Sequence, residues 1–272
     1  MKTLITKSIF LCALFLALPI EVVKAQSGIF PSAEEDFLKP KNMDVTLGWS
    51  QTNLSITNGV LLQTQLLPTF NFNAENAKGF LSIQNGAGLW LFRDEDVKVG
   101  ASVNYMLGRY AKFDPKYAPL GDVSGSFDVY LWAEWQPIKE AVTAYANYAR
   151  TVDASYRAYG QLGVTLGLPL IGPFNAFADL NLNYANQTYL QKYYGVDARQ
   201  SMASARSTFL PTQAGLINGA GLMGLDMVVS KDSDLILGAG QLKYAKNVSV
   251  SPLNAQAQQK TLLLVWNQKL KP

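Results

Sequence analysis

Asp128, Asp179, Asn181 and Asn183 are the chemistry-bearing residues whose spacing stands out. Each falls on the polar side of a stretch that alternates apolar and polar, with Asp122 in phase with Asp128 and Lys98 on a neighbouring stretch. Carboxylates and carboxamides at every second position can line a hydrated passage or hydrogen-bond one another across a wall. They are poorly equipped for catalysis here. Histidine is absent from all 272 residues, which removes Ser-His and Asp-His activation, His general bases and HExxH metal sites. The single cysteine is Cys12, inside an apolar N-terminal run. No spacing sets two carboxylates around a scissile bond. No Cys/His cluster and no phosphate-binding loop points to a metal or cofactor. Catalytic, cofactor and metal residues are therefore assigned to none. Tyr189, Tyr193 and Tyr194, in the longest connection, are exposed candidates to cap a mouth or meet a surface ligand if that loop projects, and loop packing is an equal alternative.

The elements that must position these residues are strands. In 96–107, Val97, Val99, Ala101, Val103, Tyr105 and Leu107 share one side, and Asp96, Lys98, Gly100, Ser102, Asn104 and Met106 the other. Val123, Phe127, Val129, Leu131 and Trp135 repeat the pattern against Asp122, Asp128, Tyr130, Trp132 and Glu134. Phe174, Leu180, Leu182 and Tyr184 do so against Phe177, Asp179, Asn181 and Asn183. A sheet with one oily and one polar face suits either a water-borne sandwich, which buries the oily face, or a transmembrane barrel, which shows it to lipid. Periodicity alone does not separate them.

Composition leans toward the membrane. Lys2 and Lys7 precede the apolar run Ile9 to Ile20, with small residues before Gln26, the pattern of a secretory signal over 1–25. That run is too short to span a bilayer as a helix. Removing it removes Cys12, so the exported chain forms no internal disulfide. Lys plus Arg number 23 against 20 Asp plus Glu, which leaves neither the basic footprint of a nucleic-acid binder nor an acidic tail. Trp49, Trp90, Trp132, Trp135, Tyr184 and Trp266 lie near expected strand ends, where amphipathic rings favour the headgroup region as girdles.

The chain divides into the signal (1–25), a flexible polar periplasmic lead (26–43) and an all-β barrel domain (44–272). Twelve antiparallel strands are expected over 44–51, 60–73, 79–84, 86–92, 97–108, 121–135, 141–150, 157–168, 173–188, 214–230, 233–246 and 259–270. The count drops to ten if 79–92 is one bent strand. Asn85-Gly86 favours a tight hairpin turn, and a short helix is expected around Asp197 to Arg206. Alternation is clear in strands five, six and nine and poor in strands ten to twelve. Short turns at 93–96, 136–140, 169–173 and 231–232 alternate with longer connections at 109–120, 189–213 and 247–258. Outer-membrane barrels have this asymmetry, with short periplasmic turns and long outside loops.

Across the exported chain, roughly 44 to 270, the sequence resembles the MipA/OmpV outer-membrane proteins, the MltA-interacting protein family. The resemblance is carried by Tyr184-Ala-Asn-Gln-Thr-Tyr-Leu-Gln-Lys-Tyr-Tyr-Gly-Val196, by the following segment with Ala198, Gln200, Ala203 and Pro211, by Leu120-Gly-Asp-Val-Ser-Gly125, and by Ser82 to Leu91. Two features depart from the family pattern. Asn186 and Gln187 stand where carboxylates are common, so ion preferences tied to those charges do not carry over. The end, Trp266-Asn-Gln-Lys-Leu-Lys-Pro272, lacks the usual terminal aromatic read by the barrel-assembly machinery.

The resemblance implies a non-enzymatic protein of the Gram-negative outer membrane, surrounded by lipid. It implies a scaffold that brings a murein lytic transglycosylase together with a bifunctional murein synthase. The candidates for such contact are the polar lead before Asp44, the short turns and the charged end, with Arg93 to Asp96, Lys139-Glu140 and Lys269 to Lys271 as charge clusters whose competing role is that of solvated turn residues. The alternative is a narrow pore or a general envelope, antibiotic-response protein, with Asp122, Asp128, Asp179, Asn181, Asn183 and Lys98 lining its lumen.

Overall fold

A computed structural model describes residues 43–57, 60–75, 79–82, 86–106, 115–139, 141–153, 155–253 and 257–270. The expected export signal and nearly all of the polar lead fall outside these residues.

The described chain forms twelve antiparallel strands: β1 (Met43–Thr57), β2 (Val60–Glu75), β3 (Gly79–Ser82), β4 (Gly86–Arg93), β5 (Val97–Met106), β6 (Ser126–Ile138), β7 (Val142–Thr151), β8 (Ala158–Pro169), β9 (Phe174–Ala185), β10 (Gly215–Ser230), β11 (Ser233–Tyr244) and β12 (Gln258–Leu270). Each pairs with its sequence neighbour, and β1 pairs with β12 through Val45↔Leu270 and Leu54↔Lys260, which closes the ladder. Closure leaves no edge strand, as a sheet in hydrocarbon requires. The ten-strand alternative fails: β3 and β4 pair as a hairpin through Leu81↔Ala87, and Gly86 takes φ +73°.

Which face is outside is decided by exposure. Val103 is 49% exposed, Leu131 44% and Leu180 57%, whereas Asp128 is 1% and Asp179 0% exposed. The oily side is the open side and the polar side is enclosed. That is the reverse of a sandwich in water and the arrangement of a transmembrane barrel.

Several expectations shift. β1 runs on to Thr57, through residues expected to turn. β6 starts at Ser126 and not at 121; the preceding Val123 is buried, in a connection that includes a 3-10 turn at Pro115–Leu120. Strand nine ends at Ala185 because Asn186 caps a helix, α1 (Gln187–Tyr194), where strand and then loop were expected. The expected helix near 197 is α2 (Ala198–Ser204), begun by Asp197 and Gln200 in a capping box. A third short helix, α3 (Lys246–Ser249), sits between β11 and β12.

Trp90 and Trp132 are not girdle residues. Trp132 is buried on the inner face, with its ring centroid 5.2 Å from that of Trp90 and 5.6 Å from that of Phe80. Gly100 explains the inward seat. A Cβ there would lie 2.7 Å from the Trp132 indole, so only a bare backbone admits the ring flat against β5. Trp135, Tyr184 and Trp266 are on the outer face, as a girdle needs; the Trp49 side chain is outside the described detail.

Candidate functional site

Three regions carry the polar chemistry: the interior wall, the long-loop mouth and the short-turn rim. On the wall, β7, β8 and β9 bring their inward side chains together around Asp179. Tyr145 Oη donates to both of its carboxylate oxygens at 3.1 and 3.0 Å, Thr165 Oγ1 donates at 2.8 Å and Asn181 Nδ2 at 2.8 Å. Asn183 Nδ2 extends the chain to Asn181 Oδ1 at 3.0 Å and to Asn218 Oδ1 at 2.8 Å, reaching β10. The network satisfies a fully buried carboxylate by hydrogen bonds across strands. Asp128, at the long-loop end of β6, accepts from Ser126 Oγ at 3.3 Å. Lys98 is buried with its Nζ 3.7 Å from Glu134 Oε2, across the β5–β6 pair. Asp122 is exposed in the connection before β6 and does not line the interior.

Beside Asn218 and Asp226 of β10, the inner wall of β10 to β12 also carries an apolar cluster. Leu222, Ile236 and Val265 are buried together, with Phe177 packed against them. Of the lumen side chains expected from the sequence, Lys98, Asp128, Asp179, Asn181 and Asn183 face the interior and Asp122 does not.

The long-loop mouth is covered by α1. Tyr189, Leu190 and Tyr193 turn inward and pack with Met106, Val123, Ile217 and Val248, which come from four different parts of the chain. Of the two roles left open for these tyrosines, packing is the one seen: Tyr189 and Tyr193 are 9% and 6% exposed, and Tyr194 is partly buried against Tyr244. Arg157, 2% exposed, ties the cover down. It donates to Tyr193 Oη at 3.1 Å, Ser126 Oγ at 2.9 Å and the Ser124 carbonyl at 3.4 Å, and pairs with Asp153 Oδ2 at 3.2 Å. Ser155 hydrogen-bonds Asp153 through its hydroxyl and its N–H. These bonds, foremost the hydroxyl, hold the Asp153 carboxyl below its ordinary range, with the Arg157 charge adding to the effect. Ser251 Oγ donates to the Tyr194 carbonyl at 2.6 Å, and Gln191 Nε2 to the Pro211 carbonyl at 2.8 Å. Neither Arg157 nor α1 was singled out from sequence. The N-cap Asn186 and the i, i+1, i+4 spacing of Tyr189, Leu190 and Tyr193 were the available signals.

At the short-turn rim, Lys139 of the β6–β7 turn pairs with Glu95 of the β4–β5 turn. The hydrogen bond and charge of Lys139 lower the Glu95 carboxyl below its ordinary range. Arg93 is not a free rim charge; its guanidinium lies 4.7 Å from the centroid of the Trp90 ring. Glu140 and Lys271 lie outside the described residues.

Among the described residues, no group of three or more His, Cys, Asp or Glu is placed to hold a metal ion.

The family described as MltA-interacting protein MipA matches residues 48–266. No curated protein matches the chain. Three solved structures with some similarity are far in sequence. The NanC porin shows TM-score 0.43 at 9% identity, covering 84% of this chain and 100% of its own. OmpT of Vibrio cholerae shows TM-score 0.38 at 8% identity, covering 84% and 98%. OprD of Pseudomonas aeruginosa shows TM-score 0.38 at 11% identity, covering 74% and 55%.

Proposed function

Because the chain belongs to the MltA-interacting protein MipA family, we propose that it is a scaffold whose periplasmic face holds a murein lytic transglycosylase beside a murein synthase. It is an outer-membrane protein of a Gram-negative bacterium, with lipid against its apolar wall. The short-turn end, where Met43 and Leu270 also lie, is the periplasmic one.

The observation that supports a scaffold over a pore is the state of the interior. The long-loop mouth is covered by α1, and the inward-facing Asp128, Asp179, Lys98, Ile236 and Val265 are each 5% exposed or less. A wide aqueous channel would leave such side chains wet. A wall packed on its inner side offers its partners a rigid frame, and the contacts fall to the rim. Glu95 and Lys139 are charged groups on that rim, so capture of partners weakens as salt rises. No reactive side chain is needed, and the protein is read as non-enzymatic. The same reading has residues 1–25 removed on export, 26–43 as a periplasmic lead, and the barrel-assembly machinery inserting the chain.

The test is simultaneous capture. The refolded barrel is immobilised in detergent and exposed to a purified lytic transglycosylase, then to a bifunctional murein synthase. Binding of both at once, weakened by salt, is the expected result. Binding of neither, or equal binding to an unrelated barrel of similar size, overturns the scaffold.

A further inference from the structure

The periplasmic rim is uneven in chemistry. On the β4–β7 side it is charged, with Asp94, Glu95, Asp96 and Lys139 exposed. On the β8–β10 side it is oily. The β8–β9 turn reads Pro169-Leu170-Ile171-Gly172-Pro173, and Ile171 at its tip is 93% exposed. Leu168 is 61% and Leu170 45% exposed on the approach, and Phe174 is 40% exposed on the return. A Cβ built on Gly172 would meet nothing within 4 Å, so the tip stands clear of the barrel body. The turn is nonetheless held: Leu170 N–H donates to the Phe174 carbonyl at 2.8 Å, and Val228 N–H of β10 donates to the Pro173 carbonyl at 2.9 Å. Val228 and the adjacent Val229 are 41% and 46% exposed.

We propose that this apolar turn is a membrane-seating surface, inserted into the periplasmic leaflet of the outer membrane at the boundary between acyl chains and headgroups. The occupant follows from continuity. Leu162, Leu166 and Leu168 form the lipid-facing row of β8, and Leu170 and Ile171 prolong that row past the strand without a polar break. A rigid, fully exposed isoleucine in water is unfavourable, and lipid already covers the residues immediately above it. Lys231, two residues beyond Val229, can send its ammonium to lipid phosphates while its stem lies along the apolar patch. The barrel then sits with its β8–β10 side deeper in the leaflet and its charged β4–β7 side in the periplasm. Partner-binding surface is thereby confined to one side of the rim.

Spin labels on the full exported chain, refolded into phosphatidylethanolamine/phosphatidylglycerol vesicles, test this. The variants are Ile171→Cys, Leu166→Cys as a lipid reference and Asp94→Cys as a water reference, with folding verified by heat-dependent gel migration. Collision rates with oxygen and with a water-soluble nickel chelate, supplied on both faces, are compared. The expected result is an oxygen-to-nickel ratio at 171 close to that at 166 and several-fold above that at 94. A ratio at 171 equal to that at 94 overturns the proposal and leaves the turn free for a protein partner. Ile171→Trp gives a second reading: brominated lipid added to the vesicles quenches its added fluorescence if the turn is seated, and leaves it unchanged if not.

Discussion

Asp179 carries the interior wall at the residue scale. Three side chains donate to it, from Tyr145, Thr165 and Asn181, and it is 0% exposed. Asp179→Ala strands those donors in a buried place, each at about 1–3 kcal/mol if no water replaces the carboxylate. Urea unfolding of the refolded barrel should show a loss of roughly 3 kcal/mol. Asp179→Asn, which keeps an acceptor oxygen, should lose less. Gly100 sets a steric test. Gly100→Val drives a side chain into the Trp132 indole and should destabilise by about 1–3 kcal/mol. The added change Trp132→Leu should recover part of that loss, a coupling that a double-mutant cycle reads directly. Asp153 sets a pH test. Its carboxyl is held below the ordinary value, so its contribution is complete above the ordinary aspartate range near 3.9 and is lost as pH falls through the lowered value. The stability gap between the native chain and Asp153→Asn should therefore be largest at neutral pH and close in strong acid, as read from unfolding midpoints across pH.

Each element is explained by which solvent its two faces meet. β9 presents Leu180 and Leu182 to lipid and Asp179 and Asn181 to the interior. Leu180→Arg should cost about 2–4 kcal/mol if it lies at the bilayer midplane, and less toward either rim. Reversible unfolding in vesicles measures it. Strands such as β5, β6 and β9 were legible because their two faces differ so sharply. β10 to β12 were poorly legible because Leu222, Ile236 and Val265 set apolar side chains on the inner face among polar ones such as Asn218 and Asp226, which blurs the alternation. The expected girdle role of Trp90 and Trp132 failed for a related reason. An aromatic residue near a strand end satisfies girdle composition whichever way it points; the parity of β6 turns Trp132 inward with Asp128, and the bare backbone of Gly100 leaves room for its ring. α1 was misread because Tyr-rich, mixed-polarity sequence fits a strand end as well as a helix. Its inward face has meaning only once Met106, Val123, Ile217 and Val248 are assembled around it. Arg157 was invisible for the same reason: Ser124, Ser126, Asp153 and Tyr193 converge on it from different connections.

At the scale of the whole molecule, the closed ladder, the helix packed at the long-loop mouth and the buried inner side chains are the features on which the proposed scaffold rests. Family membership places the wall in the outer membrane, and under the proposed scaffold the rim is its working surface. The scaffold reading and the pore reading diverge most at the lumen, so ion flow through the refolded barrel in a planar bilayer separates them most directly. The account predicts a silent barrel under applied voltage, in preparations whose heat-dependent gel migration proves folding. Reproducible single-channel steps from that same folded protein would contradict it.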